Sequence, residues 1–170
     1  CASKRRDPMR LLLDTGILAR ACHPSRYRDV QKWLYAIAAR RPPVHELLVS
    51  PISLYELRRA LTRRGAGASL EQLSRLTQHL IGLPVTIDVV EEAAALAERL
   101  PDGNASAADA DLLLAAQAKL GAAVWVRADE SLASVAPNLG VDVRSWRTID
   151  AAGPAWLPWS GSLAGGGGAL

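Results

Sequence analysis

Four acidic residues are spaced through the chain at points where chemistry can be done: Asp14, Glu56, Asp111 and Asp129. Asp14 ends the apolar run "RLLLD", Glu56 lies in the helical stretch that follows "ELLVSP", and Asp129 comes just after "AVWV". Asp111 is the hardest to explain as ordinary surface. The segment "DLLLAAQA" is apolar nearly all round, with Leu114, Ala115 and Ala118 on the same helical face as Asp111, so its carboxylate is expected to point inward. A carboxylate there costs several kcal/mol unless something positive compensates it. Four converging anions without a countercharge would raise one another's pKa and repel. A divalent metal resolves that conflict.

Each acid also has a simpler reading. Asp14 suits a turn or helix cap, Glu56 a solvated helix position, and Asp129 the cap of a following helix. Asp109 makes "DAD" with Asp111, but two residues along a helix turn it away by roughly 200°. It stands three residues after Ser106, where a capping-box acid belongs, so it is read as structural or as support for the acids. Asp14-Thr15-Gly16 is moreover the signature triplet of aspartic proteases. Those enzymes need two such loops in an all-β fold. This chain has one, and its pattern is not all-β.

The elements that must position these acids alternate. Strands are expected at 10–14, at "ELLVSP" (46–51), at "LPVTI" (83–87), at "AAVWVR" (122–127) and at "VDVRSW" (141–146). Helices are expected at "ILARACHP", stopped by Pro24; at "YRDVQKWLYAIAARR", capped by Ser25 and ended by Pro42-Pro43; and at "ISLYELRRALTRRG", with the stripe Leu54, Leu57, Leu61 and the stop Gly65. Further helices are "SLEQLSRLTQHLIG" capped by Ser69, "VVEEAAALAERL" capped by Asp88, "SAADADLLLAAQAKLG" capped by Ser106, and a short one near 130–136. "PDGN" is a turn. Strands separated by helices imply a parallel sheet covered on both faces, an α/β sandwich. In such a sheet ligands bind beyond the carboxyl ends of the strands, and that is the edge the acids occupy.

The whole is compatible with one domain: 170 residues, 49% of them hydrophobic. Two cysteines, Cys1 and Cys22, make no disulfide framework, and His23, His45 and His79 have no zinc-ligand spacing. A reducing cytoplasm is expected, with no secretion signal and no membrane span. The net charge is +3 and the pI about 9.2, carried by 17 arginines and 3 lysines. That points to phosphate-bearing partners, or to a genome that favours arginine.

These blocks resemble the PIN-domain ribonucleases, and among them the VapC-type toxins of bacterial toxin-antitoxin pairs. "LLLDTGIL" is similar to the family's opening strand and turn; "SPISLYELRRAL", "ADADLLLAAQAKLGA" and "VWVRADESL" are similar to its three later acid-bearing blocks. The resemblance runs from about residue 9 to 146. It implies a three-layer α/β/α sandwich with a mainly parallel sheet over 9–149; the Gly- and Pro-rich composition of 150–170 reads as a tail, and Met9 directly before the first strand suggests that 1–8 are an appendage. The resemblance further implies Mg²⁺ or Mn²⁺ held by Asp14, Glu56, Asp111 and Asp129, with Thr15 and Asp109 in support, and cleavage of RNA.

Two positions depart from the family's pattern: Arg127 stands where a Thr is common, and Leu132 where an aromatic is common. RNA is expected along the helix of Glu56, on a strip formed by Arg59 and Arg63 and flanked by Arg58 and Arg64. A cognate antitoxin is implied, and a homodimer. Trp33, Leu34 and Ile37 are either core or a surface for one of those partners. Neutralising Asp14 or Asp111 with Asn is expected to abolish cleavage and leave the fold intact or more stable. The alternatives left open are a PIN-like module that binds RNA or protein without cutting, and a nuclease or phosphatase with the same metal chemistry acting on DNA or other phosphates.

Overall fold

In the computed structural model, residues 9–39, 45–100, 109–128 and 139–149 are described. The first strand, β1 (Met9–Leu13), is apolar because both its faces are covered: Leu11, Leu12 and Leu13 are all fully buried. It lies at the centre of a five-stranded sheet with β2 (His45–Val49), β3 (Ile81–Gly82), β4 (Val124–Arg127) and β5 (Val143–Ser145), in the order β3-β2-β1-β4-β5. Every pairing is parallel, with Leu11 opposite Leu47 on one side and Val124 on the other.

Alternate residues of β1 feed two separate cores. Leu11 and Leu13 pack with Ile17 of α1 (Thr15–Ala21), Trp33, Leu34 and Ile37 of α2 (Arg28–Ala38), Leu57 of α3 (Pro51–Arg63) and Leu73 of α4 (Gly67–Thr77). Leu12 packs on the opposite face with Leu96 of α5 (Ile87–Ala97), Leu114 and Ala115 of α6 (Asp109–Leu120), and Trp125. The result is the three-layer sandwich expected. Trp33, Leu34 and Ile37 are core, so they offer no partner surface; the Trp33 indole donates to the carbonyl of Ile149 at 3.1 Å and meets Trp146 edge-on.

Several boundaries differ from the expected ones, each for a local reason. β3 is Ile81–Gly82, not 83–87: the Leu83 amide still donates to Val49 at 2.9 Å, and then Pro84 has no N–H to offer. Gln117, 1% exposed, holds that exit by donating to the carbonyls of Leu83 and Pro84 at 2.7 and 3.1 Å. Thr86, not Asp88, caps α5, its hydroxyl accepting from the Val89 amide; Asp88 sits in the first turn.

α4 begins before Ser69, which is buried inside the helix. α2 starts after Tyr27, which adopts φ 57° with no side-chain cap, rather than at Ser25. α3 ends where expected, Gly65 turning the chain away at φ 62°, but it starts earlier: Ser50 and Pro51, expected to close the second strand, cap and open this helix instead. The expected Ser106 cap, the "PDGN" turn, the helix at 130–136, Leu132 and the two terminal segments lie outside the described residues. No helix among the described residues is long and apolar enough to cross a membrane.

Candidate carboxylate site

The chain leaves β1 toward β2 on one side of the sheet, while β4 lies on the other, so the carboxyl ends of β1 and β4 flank a topological switch point. Asp14 is the first residue beyond β1. Its amide donates to the Val126 carbonyl at 3.0 Å, and its carboxylate caps α1 through the Gly16 amide at 3.4 Å. The capping reading of Asp14 is therefore correct as far as it goes. The side chain is nevertheless buried, at 8% exposure. Burial pushes its pKa up, the positive charge of Arg127 and the Gly16 amide pull it down, and the charge of Asp111 pushes it up again, for a net rise.

Gly16 keeps this corner compact. A Cβ there would stand 3.2 Å from the Ala128 Cβ and 3.4 Å from the Asp14 carboxylate, so any other residue would push α1 a few tenths of an ångström away from the end of β4. Arg20, one turn on, ties the same two elements by donating to the Ala128 carbonyl at 3.0 Å.

Thr15 faces the other way along the edge: its hydroxyl donates to Glu56 on α3 at 2.8 Å, so Asp14 and Glu56 are linked through adjacent residues. Asp111, in the first turn of α6, lies inward as expected but keeps 27% of its side chain exposed. Asp109 is exposed at the start of α6. Asp129 lies outside the described residues, immediately beyond the end of β4.

The positive charge demanded by Asp111 is present in the protein itself. Arg127, the last residue of β4, places Nη1 3.2 Å from Asp111 Oδ1, with the guanidinium over the ring of buried Trp125 at 4.8 Å from its centre. The sequence marks Arg127 only as a missing threonine hydroxyl; alternation puts 125 and 127 on one face of β4, but that this face meets α6 is set by the fold. Among the described residues no three acidic, histidine or cysteine side chains stand close enough to hold a metal ion.

Beside Thr15 and Glu56 an open cleft of about 580 Å³ runs between α1 and α3. Its basic and aromatic lining comes from Arg20, His23, Tyr27 and Arg64, of which only Arg64 had been singled out. Arg59 and Arg63 are exposed on α3, with Leu57 turned to the core. Tyr27 is held by an edge-on contact with His23 and by Arg20 at 5.4 Å, yet remains 43% exposed. His23 is itself fixed, its Nδ1 accepting from the amides of Ser25 and Arg26.

Comparison with known proteins agrees with the fold. The chain is similar in fold to VapBC2 from Rickettsia felis bound to a DNA fragment from its promoter, at TM-score 0.64 and 20% identity, over 81% of this chain and 99% of that one. It is similar to DNA-bound VapBC from Salmonella typhimurium at TM-score 0.63 and 16% identity, over 81% and 98%, and to FitAcB from Neisseria gonorrhoeae at TM-score 0.60 and 21% identity, over 82% and 99%. No curated protein sequence matches it. The sequence pattern of the PIN domain matches residues 11–137, most of the chain, and the chain belongs to the PIN-domain family.

Proposed function

We propose that this chain is a divalent-metal-dependent endoribonuclease and the toxin of a toxin-antitoxin pair. PIN-domain proteins are typically nucleases, and the solved structures it resembles are VapBC and FitAB complexes. The observation that carries the reading is the buried Asp14 beside Asp111 at the switch point of the sheet. A buried carboxylate whose charge is made costlier by burial and by its neighbour Asp111, and Asp111 itself, offer the hard oxygen donors that Mg²⁺ or Mn²⁺ takes. The donor chemistry fits, with Asp14 and Asp111 as ligands and Glu56 and Asp129 proposed to complete the set. When bound, the ion would supply an activated water and stabilise the departing oxygen of a phosphodiester.

The protein's own groups divide the remaining work. Thr15 orients Glu56 through its hydroxyl. Gly16 keeps the corner compact, and Arg20 holds α1 against the end of β4. The cleft beside them offers a cationic rim for phosphates and an aromatic face for a base, the combination that single-stranded nucleic acid uses. Arg59 and Arg63 extend that positive surface along α3. Asp109, on the surface of α6, is proposed as a supporting charge. A small antitoxin, laying an Arg or Lys over the carboxylates, would silence the site by charge-assisted hydrogen bonds, and a homodimer is the proposed assembly of the toxin.

The test is cleavage of labelled single-stranded RNA and DNA by the purified chain with Mg²⁺, Mn²⁺ or EDTA, beside Asp14→Asn. RNA cut only with metal, and not by the variant, supports the proposal. Equal cutting by both proteins sinks it, and cutting of DNA alone makes the chain a DNA nuclease. One observation favours a second reading, a module that binds without cutting: Arg127 already neutralises Asp111. RNA bound and left whole under every metal condition would establish it.

A further inference from the structure

The carboxylate site carries a cation of its own. The Arg127 side chain is only 10% exposed. Its guanidinium is confined between the ring of Trp125, which is fully buried, and the Asp111 carboxylate at 3.2 Å. The strand that carries it is buried along its whole length. A positive charge in that place does two things to an incoming divalent ion: it occupies an oxygen of Asp111, and it repels the ion across a partly desolvated gap where Coulomb interactions are strong. A neutral side chain there would do neither.

Resting on the reading of a metal site above, we propose that Arg127 is a resident countercharge that competes with the divalent ion for Asp111. The Asp111 charge is thereby compensated without metal, and the site takes up metal only by giving up the Arg127–Asp111 pair. Arg127 is a positioning residue, acting on the ion through Asp111. Its charge sets a higher metal concentration at which the site fills than a neutral residue at 127 would.

The experiment titrates Mn²⁺ into the metal-stripped full chain, with free Mn²⁺ followed by electron paramagnetic resonance and the melting temperature recorded at each point. Wild type is compared with Arg127→Thr and Arg127→Gln, the second keeping the length of the side chain in case the first does not fold. The proposal expects both variants to bind Mn²⁺ about tenfold tighter than wild type, the equilibrium equivalent of relieving roughly one charge-assisted hydrogen bond. It also expects the gain to vanish when Asp111→Asn is added to Arg127→Gln. Unchanged or weaker affinity in a folded variant overturns the proposal while leaving the metal site standing, even where the melting temperature falls, because a purely structural arginine would do just that. If neither wild type nor variants bind Mn²⁺ in the millimolar range, the metal reading itself falls, and this proposal with it.

Discussion

Arg127 of β4 and Asp111 of α6 form an ion pair at 3.2 Å that joins the edge of the sheet to the helix packed on it. The arginine is the more deeply buried partner, 10% exposed against 27% for the aspartate. Removing the carboxylate therefore takes a charged partner from a guanidinium that water reaches poorly. Asp111→Asn is expected to destabilise the metal-free protein by about 1–2 kcal/mol, less than the roughly 3–5 kcal/mol of a fully buried pair because Asp111 is partly solvated. This reverses the expectation drawn from four acids alone, in which losing a charge relieves repulsion. Urea unfolding of wild type and variant, in EDTA, measures the difference. A more stable variant would show that repulsion among the acids dominates.

Asp14 responds in the opposite sense. Burial leaves its folded-state pKa above the ordinary 3.8, so the folded chain holds that proton more tightly than the unfolded one. The stability this contributes is complete below the unfolded value and is lost as pH rises through the folded value. Asp14→Asn, which keeps a capping side chain for α1, should therefore melt at a higher temperature than wild type at pH 7 without metal. The gap should close as pH falls toward 3.8. A variant less stable than wild type at pH 7 would mean that attraction to Arg127 outweighs burial.

The contrast between these two residues shows what the letters could carry. The sheet, its coverage on both faces and the placement of Asp14 at its edge follow from alternating apolar runs and helical stripes, which are local patterns. The Asp111 environment was legible in part: "DLLLAAQA" required a burial site and hence a countercharge. That the countercharge is Arg127 depends on β4 lying beside β1 and facing α6, a long-range arrangement that no local period encodes. The cleft was missed for a similar reason. Arg20, His23 and Tyr27 come from α1 and the turn after it, and only the packing of α1 on α3 brings them beside Glu56. β3 lies outside "LPVTI" because that stretch offers β-branched residues, and the proline and the Thr86 cap overrule them.

Gln117 offers a test of the fold independent of function. Its amide serves two carbonyls where the chain leaves β3, and it is buried. Gln117→Leu preserves the volume and leaves Leu83 and Pro84 without that donor. A cost of roughly 1–3 kcal/mol is expected, read as a lower urea midpoint with an unchanged slope. No loss would mean that water replaces the amide.

Cys22 is buried, and burial pushes its thiol up to about 12. Since the thiolate is the reactive form, a Cys1→Ser chain should show no reaction with a thiol reagent at pH 8 until denaturant is added. Prompt labelling of the folded chain would mean that α1 opens readily, and with it the corner that Asp14 shares with Gly16.

The cleft decides how nucleic acid would be held. Tyr27 presents a ring fixed by His23 and Arg20, and Arg64 lines the same cleft, whereas Arg59 and Arg63 lie exposed farther along α3. Stacking is insensitive to salt, while each phosphate contact adds about 0.7 to the slope of log K against log salt for a single strand. Tyr27→Ala should thus weaken binding of single-stranded RNA, measured in EDTA to prevent cutting, at every salt concentration alike. Arg64→Ala should weaken it and flatten the salt slope, and Arg59→Ala with Arg63→Ala should flatten it further if the positive surface continues along α3. An unchanged affinity in both Tyr27→Ala and Arg64→Ala would remove the cleft from the substrate path. The route would then pass over Arg59 and Arg63, and the double variant alone would carry the salt dependence.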